Sequence, residues 1–249
     1  MIKKLILPFL KNEKCLVLAY DHGLGKNPEV FKFQSKNPKY IFELAKNIQA
    51  TGIILNKGIA EIYSQSNYKT PLIVKLNSKS EKTNEPILTC SVKYAHKLGA
   101  KAVGYTIYFG SEYESEQIEI ASNIIEEAHS LNMAVIIWTY IVNSSWEYIQ
   151  DFNYLSFALR QVYEIGADMV KMPAIENLTA LQKLNEIVPN LPIAIRGGNS
   201  INNEDLLNWA NNVMKNKGNG IIIGRNIWQK ENAVEIGKKL HNIIFNKNI

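Results

Sequence analysis

The chain has 249 residues, 46% of them hydrophobic and 20% charged, which suits a globular protein with a large core and excludes disorder as its main state. The formal net charge is +5, yet the densest basic spot, Lys238-Lys239, is two residues long, so no nucleic-acid surface is expected and the weak positive field favours anionic metabolites. The apolar start, Met1 to Leu10, is short and broken by Pro8, no stretch approaches the roughly 20 apolar residues that span a bilayer, and Cys15 and Cys90 stand apart without CxxC spacing; a soluble, cytoplasmic chain with no membrane partner is expected.

Short apolar runs alternate with segments of helical period along the chain. Cys15–Tyr20 precedes the helical stretch Tyr40 to Ala50, and Gly52–Leu55 and Leu72–Leu76 follow. Val92 to Leu98 then leads to Ala102–Ile107, Glu116 to Leu131 to Ala134–Thr139, and Tyr154 to Ile165 to Met169–Met172. Leu178 to Val188 precedes Ile193–Arg196, Asn203 to Lys215 precedes Gly220–Ile223, and Asn232 to Phe245 closes the series. Runs that are apolar throughout, rather than at alternate positions, belong in a parallel sheet covered on its outer face. Gly99 and Gly166, just past helical segments, fit C-terminal caps with positive φ; Asn177 and Asn203 are candidate N-caps. Eight such alternations in this length predict a (β/α)8 barrel, one domain over residues 1–249. An open doubly wound sheet is the alternative, but Asp21-His22-Gly23-Leu24-Gly25-Lys26 after the first run is not GxGxxG, so a dinucleotide site is poorly supported.

In a barrel of this kind chemistry collects at the C-terminal strand ends. Lys171 falls within the sixth run among apolar neighbours, where burial lowers an amine's pKa and frees it to attack a carbonyl; the bland alternative is a structural lysine paired with a carboxylate. Two glycine turns, Arg196-Gly197-Gly198 and Gly224-Arg225-Asn226, follow the seventh and eighth runs, the usual phosphate position, where backbone N–H groups approach oxygens closely and an arginine adds a bidentate contact. Ile227-Trp228-Gln229 would begin the short helix that often accompanies such turns. Asp21 ends the first run and Tyr140 the fifth; each suits proton transfer, and each equally suits a structural role, an Asx turn for Asp21 and a packed aromatic for Tyr140. Lys75 is a second strand lysine, fit to be the nucleophile, a cation acting on Lys171, or half of an ion pair. The four histidines show no ligand spacing, and three of them, His96, His129 and His241, lie in helical segments, so no metal is expected.

Taken together, Ala19-Tyr20-Asp21-His22-Gly23, Gly104 to Glu112, Trp138-Thr139-Tyr140, Val170-Lys171-Met172-Pro173, Arg196-Gly197-Gly198 and Gly224 to Gln229 resemble the archaeal-type class I fructose-1,6-bisphosphate aldolases. The resemblance runs from about Leu16 to Trp228. It implies a Schiff base on Lys171, a strand-one aspartate in Asp21, an acid/base tyrosine in Tyr140, a pocket lined by Trp138, and phosphate turns in Gly197, Gly198, Gly224 and Arg225. It further implies a phosphorylated sugar substrate, no cofactor and a homo-oligomer. Where the family often continues after the tyrosine with Pro-Arg-Gly, this chain reads Ile141-Val142-Asn143, a change beside the pocket that bears on the substrate. The related 2-amino-3,7-dideoxy-D-threo-hept-6-ulosonate synthases share the lysine logic with a different acceptor. A phosphosugar isomerase or epimerase without an essential lysine, and a non-catalytic phosphosugar-binding barrel, are the remaining alternatives.

Overall fold

The computed structural model describes residues 3–24, 28–79, 84–175, 178–198 and 200–245. Eight strands form a closed, all-parallel barrel: β1 Cys15–Tyr20, β2 Gly52–Asn56, β3 Leu72–Lys75, β4 Ala102–Phe109, β5 Ala134–Ile141, β6 Met169–Met172, β7 Ile193–Arg196 and β8 Gly220–Ile223. Each pairs with the next, and Cys15 opposite Gly220 closes β1 on β8. The surrounding helices are α1 Pro38–Asn47, α2 Lys57–Ser64, α3 Val92–Lys97, α4 Glu114–Ser130, α5 Phe152–Glu164, α6 Ala180–Ile187, α7 Asn203–Lys215, α8 Arg225–Trp228 and α9 Ala233–Phe245. All eight expected strands form, and Gly99 (φ +79°) and Gly166 (φ +94°) take the left-handed conformation expected of them. Among the described residues no helix is long and apolar enough to cross a membrane.

Three local features depart from the sequence reading. Helix α2 begins directly at the end of β2, and only Ala60 and Tyr63 of it are buried, too thin a stripe to register as a helical period. An antiparallel hairpin, Asn77–Lys79 with Pro86–Leu88, follows β3 at the barrel mouth. The cap of α7 is Asn202, whose side chain accepts from Asp205 N–H, and Asn203 is the first helical residue. Asn177 lies outside the described residues.

Strand side chains alternate between two layers. Outward residues such as Leu16, Leu18, Val135, Ile137, Val170 and Ile195 pack against the helices. Inward ones, among them Val17, Ala19, Ala102, Ala134, Ile136, Trp138, Met169 and Ala194, fill the barrel. The many small inward residues leave room for two large ones. Trp138 fits because β4 carries Gly104, where a Cβ would stand 1.9 Å from the indole ring. Phe9 fits beside Gly52, where a Cβ would stand 2.8 Å from its ring. Phe9 and Ile6, both fully buried, belong to a 3-10 turn, Lys4–Phe9, that plugs the N-terminal end of the barrel. Lys3 pins that plug by donating to the carbonyls of Gly166 (2.5 Å) and Ala167 (3.1 Å).

Candidate active site

The inward alternation decides where each candidate side chain goes. On β6, Met169 faces the core, so Lys171, two residues on, faces inward one layer higher. It stands level with Trp138 on β5 and Ala194 on β7, and its Nζ lies 4.7 Å from the centre of the Trp138 ring. Burial lowers its pKa to about 8; Asp21 opposes that shift and Arg196 adds to it. Lys75 reaches the same ring from β3, with Nζ 5.1 Å from its centre. Burial lowers Lys75 further, to about 7, against Asp21 and with help from Lys171.

Affinity for a proton alone would make Lys75 the readier nucleophile, but geometry favours Lys171. Lys75 Nζ donates to both Asn77 O (2.9 Å) and Asn77 Oδ1 (2.5 Å), and Asn77 is itself locked to the backbone of Thr106 on β4. Lys171 instead lines an open cavity of about 260 Å³. Lys75 and Trp138 are not among that cavity's lining residues; they form the buried layer around Lys171.

Asp21 follows β1, its backbone carbonyl held by Asn56 Nδ2 (3.1 Å) and its Oδ1 3.5 Å from His22 Nδ1. Burial alone would raise its pKa, but the charges of Lys171, His22 and Lys75 outweigh that and leave it lowered. It is therefore a carboxylate coupled to both amines. Tyr140, inward on β5, stacks on Tyr108 of β4 (centroids 5.6 Å apart, planes 19°), and burial raises its pKa against the opposing pull of Arg196.

The two glycine turns line the same cavity as Tyr140. Gly198 has φ +63°. At Gly224 a Cβ would stand 2.5 Å from the carbonyl oxygen of Ala19, and at Gly197 one would stand 2.7 Å from Ile223. Buried Asn226 joins the turns, donating to Gly197 O (2.6 Å) and accepting from Ile201 N–H (2.8 Å). Arg225 opens helix α8 and reaches Gly198 O at 3.4 Å. The Nε atoms of Arg196 and Arg225 are both buried without a hydrogen-bond partner among the described residues. A cavity with two such buried donors beside glycine turns is suited to an anion, which would supply the missing acceptors.

Lys171, Tyr140, Arg196, Gly197, Gly198, Gly224 and Arg225 thus meet in one cavity, with Asp21, Lys75 and Trp138 beside or beneath it. Sequence reasoning missed Tyr148, which also lines the cavity, and Trp146, whose ring lies 5.3 Å from Tyr108. Both come from the loop after β5, which doubles back so that Val142 bridges Tyr148; no local pattern signals that return. It also missed Lys79, on the mouth hairpin, 4.5 Å from the Trp146 ring centre. His129 lies at the other end of the barrel on Asp168 (2.8 Å), and among the described residues no group of three or more His, Cys, Asp or Glu side chains could hold a metal ion.

The chain is 32% identical to the fructose-bisphosphate aldolase class 1 of Thermoproteus tenax, over 98% of this chain and 95% of the relative. It is 28% identical to the 2-amino-3,7-dideoxy-D-threo-hept-6-ulosonate synthase 1 of Archaeoglobus fulgidus, over 94% and 87%. A solved structure of an archaeal fructose-1,6-bisphosphate aldolase, with its catalytic Lys covalently bound to the carbinolamine intermediate of the substrate, superimposes with a TM-score of 0.90 at 29% identity, covering 97% of this chain and 98% of that one. Residues 15–230 match the DeoC/LacD family aldolases, and the chain belongs to that family.

Proposed function

We propose that the chain is a class I fructose-1,6-bisphosphate aldolase, cleaving its substrate reversibly to dihydroxyacetone phosphate and glyceraldehyde 3-phosphate through an imine on Lys171. The observation that carries this reading is a buried, cavity-facing amine with its pKa lowered to about 8, set between an indole floor and two glycine turns. Gly197, Gly198, Gly224 and Arg225 hold the phosphate next to the ketone, so that anchoring energy goes into orienting the reacting carbon. The neutral amine adds to the carbonyl, and loss of water leaves a protonated imine. The electrons of the neighbouring carbon–carbon bond then flow toward nitrogen while the hydroxyl on the departing carbon gives up its proton, a step Asp21 assists. Glyceraldehyde 3-phosphate leaves, and Tyr140 protonates the remaining enamine carbon. Water hydrolyses the imine and frees dihydroxyacetone phosphate. Because the imine itself is the electron sink, the scheme calls for no resident cofactor. A cytoplasmic homo-oligomer is part of the same reading.

Borohydride reduction with dihydroxyacetone phosphate, followed by peptide mass mapping, tests it: the adduct is expected on Lys171. Label on Lys75 would move the nucleophile, and absence of label from a protein that turns over fructose 1,6-bisphosphate would end the imine reading. Trapping on Lys171 without triose phosphate release from fructose 1,6-bisphosphate would shift the chain toward the hept-6-ulosonate synthase type of acceptor.

A further inference from the structure

We propose that Arg196 is a positioning residue for proton return, clamped by Tyr148 against Tyr140 so that its charge keeps the Tyr140 hydroxyl an effective donor to the enamine carbon. The inference rests on the aldolase reading above and adds Tyr148 to the site. Arg196 ends β7 and turns inward, with its guanidinium carbon 4.9 Å from the Tyr140 ring centre and 5.7 Å from that of Tyr148. The two rings are 5.2 Å apart, so the cation sits against both members of an aromatic pair. All three side chains line the cavity that holds Lys171.

The loop that delivers Tyr148 is built for that task. Asn143 Oδ1 accepts from Ser145 N–H and Glu147 N–H, both at 3.0 Å, and Asn143 N–H donates to Glu147 O at 3.0 Å. Trp146 is held at φ +60°, a conformation costly for a bulky side chain, and its Nε1 donates to Glu112 Oε2 (3.0 Å). A strained tryptophan tied at both backbone and ring fixes the following turn, and the turn carries Tyr148, which is otherwise half in solvent.

The charges around Tyr140 give the clamp its chemical effect. Tyr108 stacks on it from β4, with Lys79 over the Tyr108 ring (5.3 Å); Asp21 acts on it from the end of β1, and His22, Lys171 and Arg225 line the same cavity. Burial, Tyr148 and Asp21 each make the Tyr140 phenol a weaker acid, and Arg196 opposes them. In the proton-return step the enamine π pair takes the Tyr140 proton to form the new C–H bond, the protonated imine reforms on Lys171, and the negative charge stays on the Tyr140 oxygen beside Arg196. Hydrolysis of the imine by water returns a proton to that oxygen.

The test compares Arg196→Met, Arg196→Lys, Tyr148→Ala and Tyr148→Phe, each checked by borohydride trapping with dihydroxyacetone phosphate. Steady-state constants and pH profiles are measured with fructose 1,6-bisphosphate, and solvent deuterium exchange into dihydroxyacetone phosphate is followed by NMR. For Arg196→Met, trapping on Lys171 should persist while exchange and kcat fall by at least roughly tenfold, and the alkaline limb of kcat should move up by about half a pH unit or more. Tyr148→Ala should lower exchange and kcat in the same direction, with Tyr148→Phe and Arg196→Lys recovering most of the change. A rise in KM alone, with kcat and exchange unmoved in Arg196→Met and Tyr148→Ala and the alkaline limb unmoved in Arg196→Met, would make Arg196 a phosphate ligand only and overturn the clamp. Failure of the parent protein to trap at all would instead remove the aldolase reading on which the clamp rests.

Discussion

The two ends of the barrel are built from the same strands and serve opposite ends. At the N-terminal end Ile6 and Phe9 fill the bore, and Lys3 finds two carbonyls. At the C-terminal end two lysines are buried with lowered pKa values, and the Nε atoms of two arginines lack partners. Both arrangements follow from one inward alternation of side chains, so the contrast lies in residue type alone. The apolar end stabilises the fold, while the polar end keeps charges in surroundings that disfavour them, which costs stability and leaves groups ready to react.

The sharpest way to break the contrast is Lys171→Met. Turnover should fall by about four orders of magnitude or more, yet the melting temperature at pH 7 should be no lower than that of the parent. The sign follows from linkage: the folded pKa of about 8 lies below the ordinary 10.5, so the cost of burying the ammonium is full below pH 8 and fades as pH rises toward 10.5. The parent's kcat/KM should accordingly drop about tenfold per pH unit below that pKa, because imine formation needs the neutral amine. A calorimetric melting temperature well below the parent's would show that Lys171 holds the fold together. At the other end, Phe9→Ala should cost about 3–5 kcal/mol in denaturant unfolding while borohydride still traps Lys171 in whatever remains folded. Loss of trapping at full fold would mean that the plug reaches the reacting amine. The smallest effect is expected at the α7 cap: Asn202→Ala removes the side chain that accepts from Asp205 N–H and should cost about 1 kcal/mol in denaturant unfolding.

How legible these ends were in the sequence follows from the range of the forces that set them. The eight strands were visible because each is a continuous apolar run bounded by polar residues, which reflects burial on both faces. The glycine turns were visible because close backbone approach leaves a compositional mark. The face taken by Lys171 was not, since Val170 and Met172 are as apolar as Met169, and only closure of the barrel separates inward from outward. The tie between Lys75 and Asn77, which argues against the second lysine as nucleophile, depends on Thr106 from another strand. Tyr148 and Trp146 were missed for a related reason: their placement depends on Glu112 and Arg196, residues remote in the chain. Nor does anything near Gly104 announce that it makes room for Trp138.

The 3-10 turn at the start of the chain has a reach beyond its own residues. Trp138 belongs to the same interior cluster as Phe9 and Ile6 and carries Lys171 on its ring, so the packing that begins at the turn continues up to the layer on which the amine rests. Lys171 itself is buried and lines the cavity at the opposite end of the barrel. A chain trimmed of its first ten residues is expected to lose stability at that end of the bore, while the buried indole still floors the amine at the mouth.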